Sequence, residues 1–297
     1  MAVFGTAEAQ VLMPRTIADG MVTDTRTNST VAALSGREPM RFGNVDIITF
    51  NDFPKAEFVG EGADKSHTTG GFDNVTATPK KAQVTMRFNE EVQWADEDYQ
   101  LGIFRELAGA GSVALGRALD LGLYHRINPL TGAVISGWTN YLTATTHSVE
   151  AAGAPETEIE AAVGLLVAAQ KPVTGIAFDP SYSWTLATAR YDDGRKKYPE
   201  LGFGTNISAF EGLQAAVGDT VSGRPEAADT DVRAIVGDFR SGIRWGVQRD
   251  IPVELIRYGD PDGQGDLKRK NQIAMRLEIV YGWYVFTDRF AKIVDAV

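Results

Sequence analysis

Residues 74–94 read NVTATPKKAQVTMRFNEEVQW, and residues 95–126 read ADEDYQLGIFRELAGAGSVALGRALDLGLYHR. In the first run apolar side chains alternate with polar ones, as at Ala82, Val84 and Met86. Alternation with a period of two is typical of a half-buried β-strand. The second run instead repeats apolar residues at helical spacing. Together the two runs predict a strand that leads into a long helix.

The helix predicted over Ala95–Arg126 has acidic residues in its first turn, where carboxylates stabilise the positive end of the helix dipole. At 1.5 Å per residue it would be about 45 Å long. Its sequence contains several glycines, each of which costs up to about 1 kcal/mol relative to alanine: Gly102, Gly109, Gly111, Gly116 and Gly122. Repeated glycines in one helix indicate close approach of another backbone.

The segments before this helix predict an arm and a ribbon. Residues 1–45 are polar and rich in turn residues, which is typical of an extended arm. Val45–Phe50 predicts a short strand, and residues 52–93 predict a long two-stranded excursion. An isolated two-stranded ribbon is marginally stable in water, so this excursion indicates contact with another chain.

The segments after the long helix complete a mixed α+β layout with no regular βαβ succession. A helix over residues 154–171 precedes a buried strand and a second helix, which Asp179 caps and Pro180 begins. The remaining strands are predicted at residues 232–239, 242–248, 253–259 and 273–294, the last interrupted near Thr287–Asp288. Residues 132–246 look like a module inserted between the long helix and the final strand.

Composition excludes several classes of protein. The 297 residues are 43% hydrophobic and 23% charged, as in a globular protein, and no apolar run approaches the length of a membrane span. The absence of cysteine excludes disulfides and thiolate metal sites, and the three histidines lack ligand spacing. The net charge of −10 argues against a protein built to grip nucleic acid, which needs a basic face.

No motif of a conventional enzyme or cofactor site is present, so we expect no cofactor and no metal. Residues 260–266 resemble a calcium loop only faintly, since the closing glutamate is missing, and an ordinary acidic turn is the favoured interpretation. The mixed-charge residues 192–197 are interpreted as solvated surface or an intersubunit contact. The tryptophans are interpreted as core or interface anchors: Trp138, Trp184, Trp245 and Trp283.

In its order of elements the chain resembles the major capsid proteins of tailed double-stranded DNA bacteriophages, which have the Johnson fold named for the Hong Kong type of phage. The resemblance covers nearly the whole chain. It is based on the following stretches, taken in order: LMPRTIADGMV, FVGEGADKS, VTMRFNEEV, GIAFDPSYSWTLATARYDDGR, AIVGDFRSGIRWGVQRDIPVEL and MRLEIVYGWYVFTDRFAKI.

The resemblance implies an α+β fold with an N-terminal arm, an extended E-loop hairpin, a long spine helix, a peripheral P domain and an inserted axial A domain. The implied segments are 1–45 for the arm and the start of the P domain, 46–93 for the E-loop region, 94–131 for the spine helix, 132–246 for the A domain and 247–297 for the C-terminal P-domain strands.

The resemblance also implies a structural role in the virion. Hexamers and pentamers of the chain would form an icosahedral shell, assembled in the host bacterial cytoplasm, around double-stranded DNA that is bound without sequence specificity. Scaffolding, portal and decoration proteins would be the other partners, and no membrane is involved. Because the chain begins almost at the arm, we expect scaffolding to come from a separate protein or to be absent.

Some members of this family join their subunits through isopeptide bonds between a lysine and an asparagine, assisted by a glutamate. The resemblance places Lys65, Asn271 and Glu278 at these positions, with Lys80 and Lys81 nearby as competing lysines. If residues 271–278 form one strand, Asn271 and Glu278 lie about 23 Å apart at ~3.3 Å per residue and face opposite sides. Such a site requires several subunits, and a neutral, buried amine.

Two alternatives remain at this stage. An encapsulin-like shell has the same fold but encloses cargo protein, and the contents of purified particles distinguish it from a phage capsid. An unrelated soluble enzyme or binding module is the second alternative, and a stable monomer at high concentration would favour it. Lys65 itself has a simpler interpretation as a residue of a common feature at the base of the loop, and Glu278 as the partner of an arginine.

Overall fold

A computed structural model of the chain describes residues 29–50, 56–62, 64–67, 72–99 and 102–296. Most of the predicted arm, residues 1–28, lies outside the described residues. Among the described residues, none of the helices combines the length and the apolar character needed to cross a bilayer.

The helices are α1 (Thr30–Leu34), α2 (Glu90–Tyr99), α3 (Ile103–His125), α4 (Pro155–Ala168) and α5 (Pro180–Thr188). The strands are β1 (Val45–Phe50), β2 (Phe72–Asn89), β3 (His147–Ala151), β4 (Gly175–Phe178), β5 (Ala209–Phe210), β6 (Leu213–Val217), β7 (Val232–Gly237), β8 (Ile243–Ile256), β9 (Gln272–Val285) and β10 (Phe290–Asp295).

The strands form two sheets. The four-stranded sheet has the order β1-β2-β9-β8, and the six-stranded sheet has the order β3-β10-β7-β4-β6-β5. The chain crosses from one sheet to the other near its end, because a 3-10 turn at Thr287–Arg289 separates β9 from β10. The predicted interruption of the last strand is therefore confirmed. The predicted domain boundaries at residues 132, 246 and 247 stay predictions. β10 belongs to the predicted C-terminal P-domain segment, yet it pairs with β7 and β3 of the predicted A domain.

The face of β9 that packs on α3 forms the main core. Its alternate residues are buried with the apolar side of α3, as the two-residue period of a strand requires: Met275, Leu277, Ile279, Tyr281, Trp283 and Val285. Two glycines of α3 allow this approach. A Cβ on Gly111 would come within 2.9 Å of Leu277, and a Cβ on Gly122 within 2.9 Å of Trp283. Gly111 and Gly122 thus make room for side chains of β9 and not for the second backbone that the sequence suggested.

The long helix predicted from Ala95 is wrong in its first part. The chain is already helical at Glu90, and α3 starts only after Gly102, which has a φ of 69°. The predicted first-turn acids therefore belong to α2. Asp96 nevertheless accepts a hydrogen bond from the backbone N–H of Ile103 (2.9 Å), so it caps α3 from the preceding helix.

The predicted ribbon and the predicted short strands also differ from the structure. β2 pairs with β1 only from Phe72 to Ala77, and from Thr78 to Asn89 it pairs with β9. Residues 78–89 of the predicted two-stranded excursion thus pair with the final long strand of the subunit. The strands predicted at 242–248 and 253–259 form the single strand β8, whose pairing with β9 shifts register between Val247 and Arg249 and between Ile251 and Glu254.

A buried carboxylate connects the start of the described chain to α3. Asp120 accepts hydrogen bonds from the backbone N–H of Thr30 (2.8 Å), the hydroxyl of Thr30 (2.8 Å) and the hydroxyl of Thr220 (2.8 Å), and also from Ser29 and the N–H of Val31. Burial raises the pKa of Asp120, while the hydroxyl groups around it act in the opposite direction. This contact fixes α1 against the long helix.

Candidate assembly surface

The E-loop residues that the structure describes are fully accessible. Every described residue of the ranges 56–62 and 64–67 is exposed, including Phe58 and Lys65. The loop is closed across its base by Glu57, which accepts hydrogen bonds from the backbone N–H (3.0 Å) and the hydroxyl of Ser66. These bonds hold the pKa of the Glu57 carboxyl below its ordinary value. The single chain therefore presents Lys65 to solvent.

Asn271 lies at the turn before β9. Asn271 directly follows the 3-10 turn Lys268–Lys270 and has a left-handed backbone conformation, with a φ of 56°. Its carbonyl accepts a hydrogen bond from the N–H of Glu90 (3.0 Å). Its side-chain amide donates to the carboxylate of Glu91 (2.9 Å). Because β9 begins only at Gln272, the expectation that Asn271 and Glu278 face opposite sides of one strand does not apply to Asn271 itself.

Glu278 lies in the middle of β9, opposite Gln83 of β2. It forms an ion pair with Lys81 (2.8 Å), and its side chain is only 14% exposed. The arginine partner considered from sequence is therefore a lysine. The extended strand from Gln272 to Glu278 alone spans about 20 Å, and Asn271 lies in the turn before its start. The structure of one chain does not bring the two residues together.

The sequence reasoning missed Glu91, the carboxylate that touches Asn271 directly. Its position follows from strand pairing, because Asn89 is opposite Gln272 and the residues beyond this pair meet at the same end of the sheet. Alignment of the 74–89 strand with the 272–285 strand is the signal that would have revealed Glu91. No such register was available from the sequence alone.

Lys80 occupies a cage of two tryptophans at the root of the ribbon. Its Nζ lies 4.2 Å from the ring centre of Trp283 and 5.5 Å from that of Trp138, within the range of cation–π interactions. It also donates to the hydroxyl of Thr78 (2.9 Å). Burial lowers the pKa of Lys80 from 10.5 to about 8. Lys80 and Lys81 therefore have different partners, and neither lies on the exposed loop that carries Lys65.

The acidic turn is stabilised by an arginine. Arg87 of β2 pairs with Asp260 (3.3 Å) and Asp262, and also donates to Gln272 and the carbonyl of Gly265. Hydrogen bonding to Arg87 lowers the pKa of Asp262. The described residues contain no group of three or more histidine or acidic side chains that could hold a metal ion. Asp260 and Asp262 are thus engaged by Arg87, and the ordinary acidic turn stays a prediction.

Two of the tryptophans have the predicted core role, whereas the predicted interface role stays a prediction. Trp245 and Trp283 are core residues, whereas Trp184 of α5 is 51% exposed. Trp184 stacks on Phe203, with ring centres 6.2 Å apart and planes at 13°. Lys196 of the mixed-charge loop lies 5.1 Å over the Phe203 ring. This stack, like Phe58, is an aromatic surface that a single chain leaves uncovered.

Comparison with known proteins agrees with this architecture. Residues 9–294 match the family model described as the Phage capsid family. A solved structure from Mycobacterium phage Ogopogo is 49% identical, with a TM-score of 0.82 over 91% of this chain and 92% of that chain. One from Gordonia phage Cozz is 30% identical, with a TM-score of 0.79 over 91% of this chain and 87% of that chain. No curated protein matched.

A more distant likeness shows the fold alone. A chain titled as the capsid of an empty GTA particle, computed with C5 symmetry, is 15% identical. It superposes with a TM-score of 0.60 over 91% of this chain and 90% of that chain.

The architecture is that of a Johnson-type capsid subunit, which confirms the predicted fold class. The chain belongs to the phage capsid family, and it is a structural major capsid protein of a tailed phage. It acts by assembling with copies of itself into the shell of the virion.

Proposed function

We propose that this chain forms hexamers and pentamers that close into an icosahedral shell around double-stranded DNA. Subunits would assemble in the host bacterial cytoplasm with scaffolding and portal proteins, and decoration proteins would bind the finished shell. The net charge of −10 supports contact with packaged DNA that is not sequence-specific, because a strongly acidic chain does not hold phosphates tightly.

The observation that carries this proposal is the exposed loop at the tip of the β1–β2 ribbon. Among the described residues, those at 45–50 pair with those at 72–77, and the described loop residues beyond them are exposed. Phe58 and Val59 are exposed apolar residues of that loop. A two-stranded ribbon with an apolar tip lacks a core of its own, and a neighbouring copy in a closed, symmetric assembly supplies the missing surface.

Electron microscopy of the recombinant chain, with sedimentation at rising concentration, tests the assembly. We expect five- and six-membered rings and closed shells. A monomer that stays monomeric at high concentration refutes the proposal. An encapsulin-like compartment is less favoured, because the family and structural matches are to phage capsids. Analysis of particle contents tests this directly, since DNA supports the phage capsid and a cargo enzyme supports the compartment.

We further propose that Lys65 of one subunit forms an isopeptide bond with Asn271 of a neighbour. The neutral amine of Lys65 attacks the side-chain carbonyl carbon of Asn271, the new C–N bond replaces the bond to the amide nitrogen, and ammonia leaves with the proton of the amine. A carboxylate must accept that proton first. Both amine and amide are exposed in the single chain, which supports a bond made only between assembled subunits.

Two carboxylates are available for that proton. Glu278, expected from the resemblance, is engaged by Lys81 in its own chain and lies far from Asn271 of that chain. It would serve the bond from a third subunit. Glu91 already contacts the Asn271 amide within one chain. Glu91→Gln and Glu278→Gln variants separate the two roles, because only loss of the working carboxylate slows the bond without preventing assembly.

Boiling matured particles in SDS tests the bond. We expect ladders above the 32.1 kDa subunit in the wild type and in Lys81→Arg, which keeps the ion pair with Glu278. Lys65→Arg should assemble normally and give a single subunit band. A single 32.1 kDa band from matured wild-type particles refutes the crosslink and leaves the shell function intact.

A further inference from the structure

An open cavity of about 280 Å³ lies where the C-terminus of α3 meets β7 and β10. Two cations line it, Arg126 at the end of α3 and Lys292 of β10, together with Tyr141 and the hydroxyl-bearing residues Thr143 and Thr230. None of the residues that line the cavity is a carboxylate. This composition is unusual in a chain whose net charge is −10.

Neither cation has an acidic partner among the described residues. Elsewhere among the described residues, Arg117, Arg233 and Lys197 are each paired with a carboxylate. Strand alternation explains the difference near the cavity. Val232 and Lys292 line it, whereas Arg233 and Asp295 point to a separate cavity on the other side of the same strands. The nearby carboxylates thus form ion pairs with Arg233.

The two cations that line the cavity are held in place and keep unused hydrogen-bond donors. The guanidinium of Arg126 lies 4.5 Å over the ring of Tyr141 and donates once, to the carbonyl of Trp138 (3.2 Å). Lys292 donates once, to the carbonyl of Thr143 (2.9 Å). A guanidinium has five N–H donors and an ammonium has three, so most of them remain for a ligand.

The helix end does not account for two cations. A helix C-terminus carries roughly half a negative charge, and in α3 the backbone N–H groups of Arg126 and Ile127 already bond the last carbonyls. Two full positive charges exceed that partial charge. The adjacent His125 adds none near neutrality, since burial lowers its pKa to about 4. The cavity therefore has an uncompensated positive charge.

We propose that this cavity is a binding site for a phosphate-type oxyanion, with Arg126 and Lys292 as its ligands. The fork of Arg126 matches two oxygens of a phosphate, and Lys292 supplies a point charge from the neighbouring strand. The volume accommodates one phosphate group with bound water. Inorganic phosphate and a phosphodiester group of nucleic acid present the same chemistry. The site does not depend on the crosslink or on shell geometry.

Titration of the free subunit with inorganic phosphate tests the site, at constant ionic strength with chloride as the competing anion. We expect the melting temperature to rise with phosphate and the ³¹P resonance to broaden. The dissociation constant should rise at least tenfold in Lys292→Gln. Arg126→Lys, which keeps the charge but loses the fork, should weaken binding less. Lys171→Gln is the matched control, because Lys171 pairs with Asp288 away from the cavity.

The outcomes separate cleanly. A phosphate response no larger than that of chloride, or an equal response in Lys292→Gln, overturns the proposal even if that variant folds normally. Competition by a short oligonucleotide assigns the site to nucleic-acid phosphates, and a response to inorganic phosphate alone assigns it to the free ion. Both results support the site, and both are independent of whether the chain forms shells.

Discussion

The buried side chain of Asp120 connects α3 to two other segments of the chain. Its carboxylate receives hydrogen bonds from two segments distant in sequence, at Ser29–Val31 and at Thr220. It caps the N-terminus of α1, where a negative group also faces the positive end of the helix. The first described helix is thus anchored to the body of the subunit.

We predict that Asp120→Asn lowers the free energy of unfolding of the free subunit by about 3 kcal/mol, because an amide places its own donors against buried donors and each unsatisfied group costs ~1–3 kcal/mol. Urea denaturation measures the change. Asp266→Asn is the matched control, since Asp266 is exposed and accepts one bond, from the N–H of Arg269. Equal effects in the two variants would contradict the anchoring role.

Lys80 should make stability depend on pH in a distinctive way. Its pKa in the folded chain is about 8, below the ordinary 10.5, so between these values the unfolded chain keeps a proton that the folded chain has lost. Stability attributable to Lys80 therefore rises with pH across this window. We predict that the wild type gains stability relative to Lys80→Arg between pH 7.5 and 9.5. Parallel curves from denaturant titrations would show that burial does not perturb this amine.

Among the helices and strands, two glycines of α3 have different surroundings. Gly122 lies against the indoles of Trp283 and Trp138, whereas nothing lies within 4 Å of a Cβ placed on Gly109. Helix propensity alone favours alanine at either position by up to about 1 kcal/mol. The sequence pattern does not distinguish the two glycines, because their neighbours belong to distant segments.

We predict opposite signs for the two alanine variants. Gly109→Ala should stabilise the subunit by about 1 kcal/mol through helix propensity. Gly122→Ala should destabilise it by about 1–3 kcal/mol, because the methyl group overlaps a packed indole. Thermal unfolding of both variants measures the pair. Stabilisation of both would mean that the α3–β9 interface has room that the structure does not show.

At the scale of the whole molecule, stability and assembly should depend on different residues. Phe58 contacts solvent in the single chain, so we predict that Phe58→Ser leaves the melting temperature of the free subunit unchanged and sharply reduces shell formation. Sedimentation at matched concentrations measures assembly. Leu130→Ser, at another exposed apolar residue outside the ribbon, is the control. Assembly of the Phe58 variant at the wild-type level would remove the loop from the interface.

Sequence patterns alone were enough to predict the α+β class, the interrupted final strand, the helix cap at Asp179 and the family resemblance. These features depend on local periodicity and turn chemistry, which short stretches encode. The folded chain was needed to see the break at Gly102, the merging of two predicted strands into β8, the contact of Glu91 with Asn271 and the cavity between Arg126 and Lys292. The last two join residues far apart in the chain, and all four depend on strand register and helix packing that no local pattern specifies.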